Sequence, residues 1–431
     1  MKRTLIPTVT VVLLALALLA CGSLPPTPEP MPTPTIFVPM EAPSTEEPTL
    51  VPTEPALTAS PILPVCPAPG SPPLIQPANF ADYPAAIQQF LSAGGDRATL
   101  ESTLTGWDAL PDSTDQVIAI DLTGDDDMEI VVALADPNAE VFAHPGDLLI
   151  FGCRARAYVL LYQEGYDAYG PAVRLLQVGD ANLDRQPDVI YTLGSCGAHT
   201  CYERLEIRGW DGTAFVSLMG GVLEMPYPTY VVTHCRIEAQ SGGIGSVGAE
   251  PQRGYSEVWE WDGSVFTRTE QIWGPPVYRY HALLDGDRAL LSGDYGAAHA
   301  AYERVIGDDT LEEWGRVSQM ITPAEERARL AAFARWRLVL TYLLVGELDG
   351  AQLEYNRLQA DDPAGAAGHD VAAMAATFWA AYLADGSVAT GCAEVVAAAA
   401  EADTSVQDFF NSNYGYANPW WEPVDLCPFI E

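Results

Sequence analysis

The chain reads as a multidomain α+β protein in which antiparallel β repeats are followed by an all-α domain of helix pairs. Two patterns predict this. Between Val117 and Trp273, short apolar runs alternate with Asp- and Gly-rich turns, and several of these segments recur. From about Tyr278 onward, Ala and Leu dominate at helical spacing. With 431 residues the chain can build more than one core. Its 58 Asp+Glu against 21 Lys+Arg give a net charge of −37, which repels phosphate backbones and excludes nucleic acid as a partner. Lys2 is the single lysine, so a polybasic membrane patch is excluded as well.

Residues 1–20 have the parts of an export signal: Lys2 and Arg3, an apolar run from Val11 to Leu19, and small Ala20 ahead of Cys21. The run is shorter than the ~20 residues that span a bilayer. The junction Leu18-Leu19-Ala20-Cys21 resembles a bacterial lipobox. That resemblance implies a lipid on Cys21, attachment to the membrane through it, and a place in the cell envelope on the outer face of a bacterial membrane. Residues 21–77 hold 18 of the 35 prolines and no Lys or Arg, and predict a disordered Pro/Thr-rich stalk of polyproline II character.

Seven cysteines remain in a chain that would meet oxidising conditions. Cys196 and Cys201 flank a short loop, and Cys392 and Cys427 would tie the tail to the last helices; both pairs are disulfide candidates. Cys66, Cys153 and Cys235 are left unassigned. Cys196, His199, Cys201, His234 and Cys235 are also possible zinc ligands, although their spacing fits no common zinc module.

A small helical segment is expected at 78–112, with Ala85, Ile87, Phe90 and Leu91 on one face, and Leu100, Leu104 and Trp107 on another. The β-repeat domain follows at 113–274. Val117–Ile120 leads into an acidic loop from Asp121 to Glu129, and Leu175–Val178 into a second from Asp180 to Asp188. Oxygen side chains at positions 1, 3, 5 and 9, with the carbonyl of position 7, can converge on a hard cation. Asp121, Thr123, Asp125, Asp127 and Glu129 fill these positions in one loop; Asp180, Asn182, Asp184, Gln186 and Asp188 fill them in the other. The loops resemble the calcium loops of FG-GAP/VCBS-type β repeats, which implies Ca²⁺ at one or two sites. They depart from that pattern at position 6, where Asp126 and Arg185 replace glycine.

Trp210-Asp211-Gly212-Thr213-Ala214-Phe215 and Trp261-Asp262-Gly263-Ser264-Val265-Phe266 are near copies and predict hairpins. Tyr162 to Tyr166 reads as a degenerate first version. Three propeller-blade-like repeats result, the third, around Tyr230–Val232, without an acidic loop; three are too few for a closed propeller and predict an open stack. Gly243, Gly245 and Gly248 match a dinucleotide glycine pattern, but no helix is expected after them, and the segment reads as a flexible loop. Trp210, Tyr255, Trp259, Trp261 and Trp273 suit either a sugar-stacking surface or cross-strand packing.

The α-helical domain is expected at 275–431. Leu290 to Tyr302, with Gly293 at the turn and Ala298 and Tyr302 packed small against large, resembles a tetratricopeptide repeat. Leu343 to Tyr355 repeats it around Gly346, with Pro363 closing the pair, and Tyr382, Gly386 and Val395 give a fainter copy. The turn glycines are spaced wider than the roughly 34 residues of the standard repeat. The resemblance implies a surface for a protein or peptide. Arg327, Arg329, Arg335 and Arg337 on one helix read as a solvated face or an electropositive strip. The six histidines form no catalytic motif, and no nucleophile, Walker or redox motif is present, so the chain is not expected to be an enzyme. The leading expectation is a binding or scaffold lipoprotein, its partner an unidentified protein or polysaccharide. The alternative is a carbohydrate-binding or carbohydrate-active envelope protein.

Overall fold

The computed structural model describes residues 67–139, 145–165, 170–401 and 405–430. The lipobox with Cys21, and the stalk through Cys66, lie outside the described residues. The folded part begins within the proline-rich segment rather than after it: Gly70 N donates to Gly94 O at 2.9 Å, and Leu74 packs on the first core. Helices α1 (Tyr83–Ser92) and α2 (Arg97–Gly106) form the expected helical segment, α2 being capped by Asp96, which accepts from Thr99 N.

Three antiparallel sheets follow. The first is β1 (Val117–Ile120), β2 (Glu129–Ala135), β3 (Gly146–Arg154) and β4 (Ala157–Glu164). The second is β5 (Ala172–Gly179), β6 (Asp188–Cys196), β7 (Cys201–Trp210) and β8 (Phe215–Ser217), with β9 (Leu223–Pro226) on β7. The third is β10 (Thr229–Thr233), β11 (Arg236–Gln240), β12 (Tyr255–Trp261) and β13 (Phe266–Trp273).

Period-2 alternation stacks them. On β2, Ile130, Val132 and Leu134 face α1 and α2, while Val131 and Ala133 face the second sheet. On β6, Val189, Tyr191 and Leu193 meet the first sheet, and Ile190 turns to the third with Leu205 and Ile207 of β7. The middle sheet therefore has two buried faces, which is why its strand β6 is apolar at consecutive positions instead of alternate ones.

The hairpin turn of the first sheet is Arg154–Ala157, with Ala155 and Arg156 both left-handed. That is the counterpart of the two Trp-Asp-Gly turns. Tyr162 to Glu164 instead complete β4, so the degenerate copy expected there is corrected; Tyr166 lies outside the described residues. In the two Trp turns, Asp211 and Asp262 each accept two backbone amides, and Trp210–Phe215 and Trp261–Phe266 pack with ring centroids 5.1 and 5.3 Å apart.

The C-terminal part contains α3 (Arg279–Leu291), α4 (Tyr295–Gly307), α5 (Gly315–Ser318), α6 (Pro323–Leu344), α7 (Leu348–Asp361), α8 (His369–Asp385), α9 (Val388–Glu401) and α10 (Ser405–Asn413). Gly293, Gly346 and Gly386 have φ of +80°, +81° and +74°, and each turns one helix into its antiparallel partner. A second device recurs in the pairs. A Cβ on Gly286 would stand 2.4 Å from the Tyr302 ring, one on Gly350 2.7 Å from Tyr342, and one on Gly391 2.6 Å from Phe378. Each pair thus closes by seating an aromatic ring against bare backbone.

The arginines of α6 do not form an open strip: Arg327 stays on a solvated face, and Arg335 and Arg337 are drawn into ion pairs away from solvent. Arg327 pairs with Asp309 at 2.5 Å, Arg329 with Asp370 at 3.0 Å, Arg335 with Glu354 at 3.3 Å, and Arg337 with Asp287 at 2.9 Å. Arg329, Arg335 and Arg337 brace α6 against α8, α7 and α3, and Arg327 ties it to the loop after α4. Among the described residues, no helix is long and apolar enough to cross a membrane.

Candidate functional site

Both acidic loops connect the first two strands of their sheets, and both are organised the same way. In the first, Asp121 Oδ1 accepts from Gly124 N at 2.7 Å and Oδ2 from Asp126 N at 3.0 Å. Glu129, fully buried, accepts from Leu122 N at 2.8 Å and Thr123 N at 3.2 Å. In the second, Asp180 accepts from Asp184 N and Arg185 N at 3.1 and 2.9 Å, and Asp188 from Ala181 N at 2.9 Å. Asp125 and Asp184 each accept the amide two residues on, from Asp127 N and Gln186 N. Position 6, where glycine was expected to be needed, is left-handed in both loops, with φ of +69° at Asp126 and +76° at Arg185. The acid at position 1 holds that residue's N–H, so the turn forms without glycine, at a cost of about 1–2 kcal/mol.

The electrostatics of the loops differ in a way the sequence did not indicate. By its place in the sequence, Arg185 puts a cation in the second loop and none in the first. Instead Arg154, from the end of β3, reaches the first loop, 3.0 Å from Asp125 Oδ2 and 3.9 Å from Glu129 Oε1. Burial, reinforced by Asp125 and opposed by Arg154, raises the Glu129 carboxyl above its usual range. Among the described residues, no ion pair joins Asp180, Asp184 or Asp188 to a guanidinium, and burial together with Asp184 and Asp180 pushes the Asp188 carboxyl up to about 7. The second loop is therefore the one whose acids at positions 1, 5 and 9 are all without a paired guanidinium, although the first loop carries more acids in all. Among the described residues, no group of three or more His, Cys, Asp or Glu side chains already converges as a metal cage. Most carboxylate oxygens are turned to loop amides, and a cation would share them.

The zinc set is undone by Cys196 and Cys201, whose sulfurs are bonded to each other across the β6–β7 turn. Cys392 and Cys427 are bonded as expected, and Cys153 and Cys235 are also in disulfides. Of the five aromatics, Trp259 is buried core and Trp210 and Trp261 pack on their hairpin phenylalanines. Tyr255 and Trp273, 4.9 Å apart, line a cleft.

The glycine segment 243–248 forms no helix, in keeping with the rejected nucleotide motif, but it is held rather than loose. Gly245 N donates to Thr200 Oγ1 at 3.0 Å, and Gln252 brackets Ile244 through both its amide atoms. The residues just beyond meet the C-terminal tail, with Gly415 N donating to Glu250 O at 2.7 Å and Tyr416 N to Gly248 O at 3.0 Å. His281, at this junction, is 2% exposed, and burial and the neighbouring Arg253 push its imidazole down to about 4 against the pull of the Pro251 carbonyl and Asp285.

A depressed histidine binds its proton in the unfolded chain first, so its contribution to stability is present above pH 6.5 and lost as pH falls towards 4. Wild-type protein should lose roughly 2–3 kcal/mol more than His281→Phe over that interval. Denaturant melts of both proteins at pH 7 and pH 4.5 check this; parallel losses would refute it. Sequence reasoning missed His281, Arg253 and Arg288 because their meeting depends on how the helices dock on the third sheet.

No family model matches the chain, and neither does any curated protein.

Proposed function

We propose that the chain is a membrane-anchored extracytoplasmic binding or scaffold lipoprotein without catalytic activity. In this reading, acyl groups on Cys21 fasten it to the outer face of a bacterial membrane. The three sheets are FG-GAP/VCBS-like blades in an open stack, rigidified by Ca²⁺ at one or two loops. The tetratricopeptide-like helix pairs present the surface for a protein or peptide partner. The observation that carries this reading is the duplicated loop. Two segments of unlike sequence hold their position-1, position-5 and position-9 acids on equivalent backbone amides, which leaves the acid oxygens gathered at one end of each sheet. Repetition of that arrangement, rather than acidity alone, supports a shared cation-binding role.

The second loop should bind more tightly than the first, because a cation there need not displace a paired guanidinium such as Arg154 from Asp125. At ten times its dissociation constant, Ca²⁺ should stabilise the protein by about 1.4 kcal/mol. Melting curves in EDTA and in millimolar Ca²⁺ test this for the wild type, Asp121→Ala and Asp184→Ala. The expected result is a rise in Tm that Asp184→Ala abolishes and Asp121→Ala reduces. Identical curves in EDTA and Ca²⁺ would overturn the calcium part. Mass spectrometry of native material that recovered an unmodified Cys21 would overturn the anchoring part.

A further inference from the structure

The chain carries 58 acidic residues, yet the wall of the cleft between the third sheet and α3 contains none. Its volume is about 490 Å³, and Arg253 and Arg288 line it with Trp273, Tyr255, Tyr202 and His281. Asp285 lies behind both arginines: it takes Arg253 bidentately at 2.6 and 3.0 Å and also accepts from Arg288. Two guanidiniums sharing one carboxylate leave a surplus of one positive charge at the mouth of a cleft in a strongly acidic protein. Arg288 is held over the Trp273 ring, 4.7 Å from its centroid, so its orientation is fixed before any ligand arrives.

Two buried polar atoms of residues in this wall have no hydrogen-bond partner among the described residues. They are Trp273 Nε1 and Nδ1 of the 98% buried His281. Buried polar atoms are seldom left unpaired, and two of them on residues of one cleft wall favour a polar ligand there. We propose that this cleft binds an acidic sugar of the hexuronate type, a ring of hydroxyls carrying one carboxylate. The single surplus charge matches a carboxylate better than a phosphate, which carries about −1.5 to −2 at neutral pH. Tyr255 and Trp273 offer apolar ring faces to the C–H side of a pyranose, while the amide oxygens of Gln271 and Asn418, whose nitrogens already donate to Glu257 and to the Ala249 and Gly415 carbonyls, and the hydroxyl of Tyr202 suit its hydroxyl groups. The volume is within the ~300–1,000 Å³ of small-molecule sites, room for one or two sugar units.

The site is separate from the acidic loops, so its failure would leave the calcium reading standing, and the reverse. The test is titration of the full chain, by tryptophan fluorescence and calorimetry, with galacturonate, its dimer, glucose and inorganic phosphate. Saturable binding of the uronates is expected, at least tenfold tighter than glucose or phosphate. Arg288→Gln, at a half-exposed position, should weaken uronate binding tenfold or more with little change in melting temperature. Trp273→Phe, which keeps a ring and removes the donor, should weaken it several-fold. Absence of uronate binding, equal binding of glucose or phosphate, or wild-type affinity in a folded Arg288→Gln would each overturn the proposal.

Discussion

Replacing Arg337 with alanine should destabilise the protein by about 3–5 kcal/mol, the range for breaking a buried ion pair from one side. The side chain is 3% exposed in the middle of α6. Its guanidinium donates to Asp287 on α3 at 2.9 Å, and to the carbonyls of Asp425 and Leu426 in the tail at 2.6 and 3.1 Å. The guanidinium carbon lies 4.6 and 5.9 Å from the ring centroids of Phe333 and Trp421. Among the described residues, removing the group leaves the Asp287 carboxylate with the Tyr302 hydroxyl, at 2.6 Å, and strands the Asp425 carbonyl, while Leu426 O keeps its bond from Trp336 Nε1. The loss comes from these unpaired groups more than from any net strength of the pair. Arg337→Met with Asp287→Leu should therefore cost less than Arg337→Ala alone. Guanidinium denaturation of the three proteins decides it: a loss below about 1 kcal/mol for Arg337→Ala would place the residue among exposed pairs of little worth.

Arg337 also marks where local sequence signals stop being informative. Strands, hairpins and helix pairs were legible because their signals are short-range. Asp-Gly places a turn wherever it occurs, and Gly293, Gly346 and Gly386 sit between apolar helical runs. The sequence distinguishes an arginine strip from a set of struts only if the partners are known. Those partners, Asp287, Asp309, Glu354 and Asp370, lie on other elements, up to 50 residues away in the case of Asp287. The same limit applies to the acidic loops. Their composition predicted nine-residue turns, and the turns exist, but Arg154, which changes their electrostatics, belongs to the far end of β3. At position 6 the sequence shows a missing glycine, and the hydrogen bond from position 1 that offsets the αL cost is not visible in it. The junction cleft is the extreme case, since its walls come from β7, β12, β13, α3 and the tail near Tyr416.

Breaking the Cys392–Cys427 disulfide should cost about 3–4 kcal/mol in the chain-entropy account, given its separation of 35 residues. Cys196–Cys201 spans only 5, and the turn it closes is already held by Gly197 N donating to Thr200 O at 2.8 Å. Cys427→Ala should thus lower stability more than Cys201→Ala does. The tail has a second attachment one residue away, since Leu426 O accepts from Trp336 Nε1 at 2.9 Å as well as from Arg337. Both attachments restrain the same backbone. Once either is gone, the tail of Trp421, Leu426 and Cys427 is free to leave the helical core, and the other then restrains a segment already partly released. The combined loss in Arg337→Ala/Cys427→Ala should fall short of the two single losses added together by 1 kcal/mol or more, as coupled neighbours do. Strict additivity in that cycle would mean that the tail docks in two independent pieces. Because Tyr414 stacks on Tyr280 at 3.6 Å and Gly415 bonds to Glu250, release of the tail should also loosen the junction cleft. Hydrogen exchange at Gly415 and Tyr416 should then rise in Cys427→Ala, while exchange in the three sheets stays unchanged.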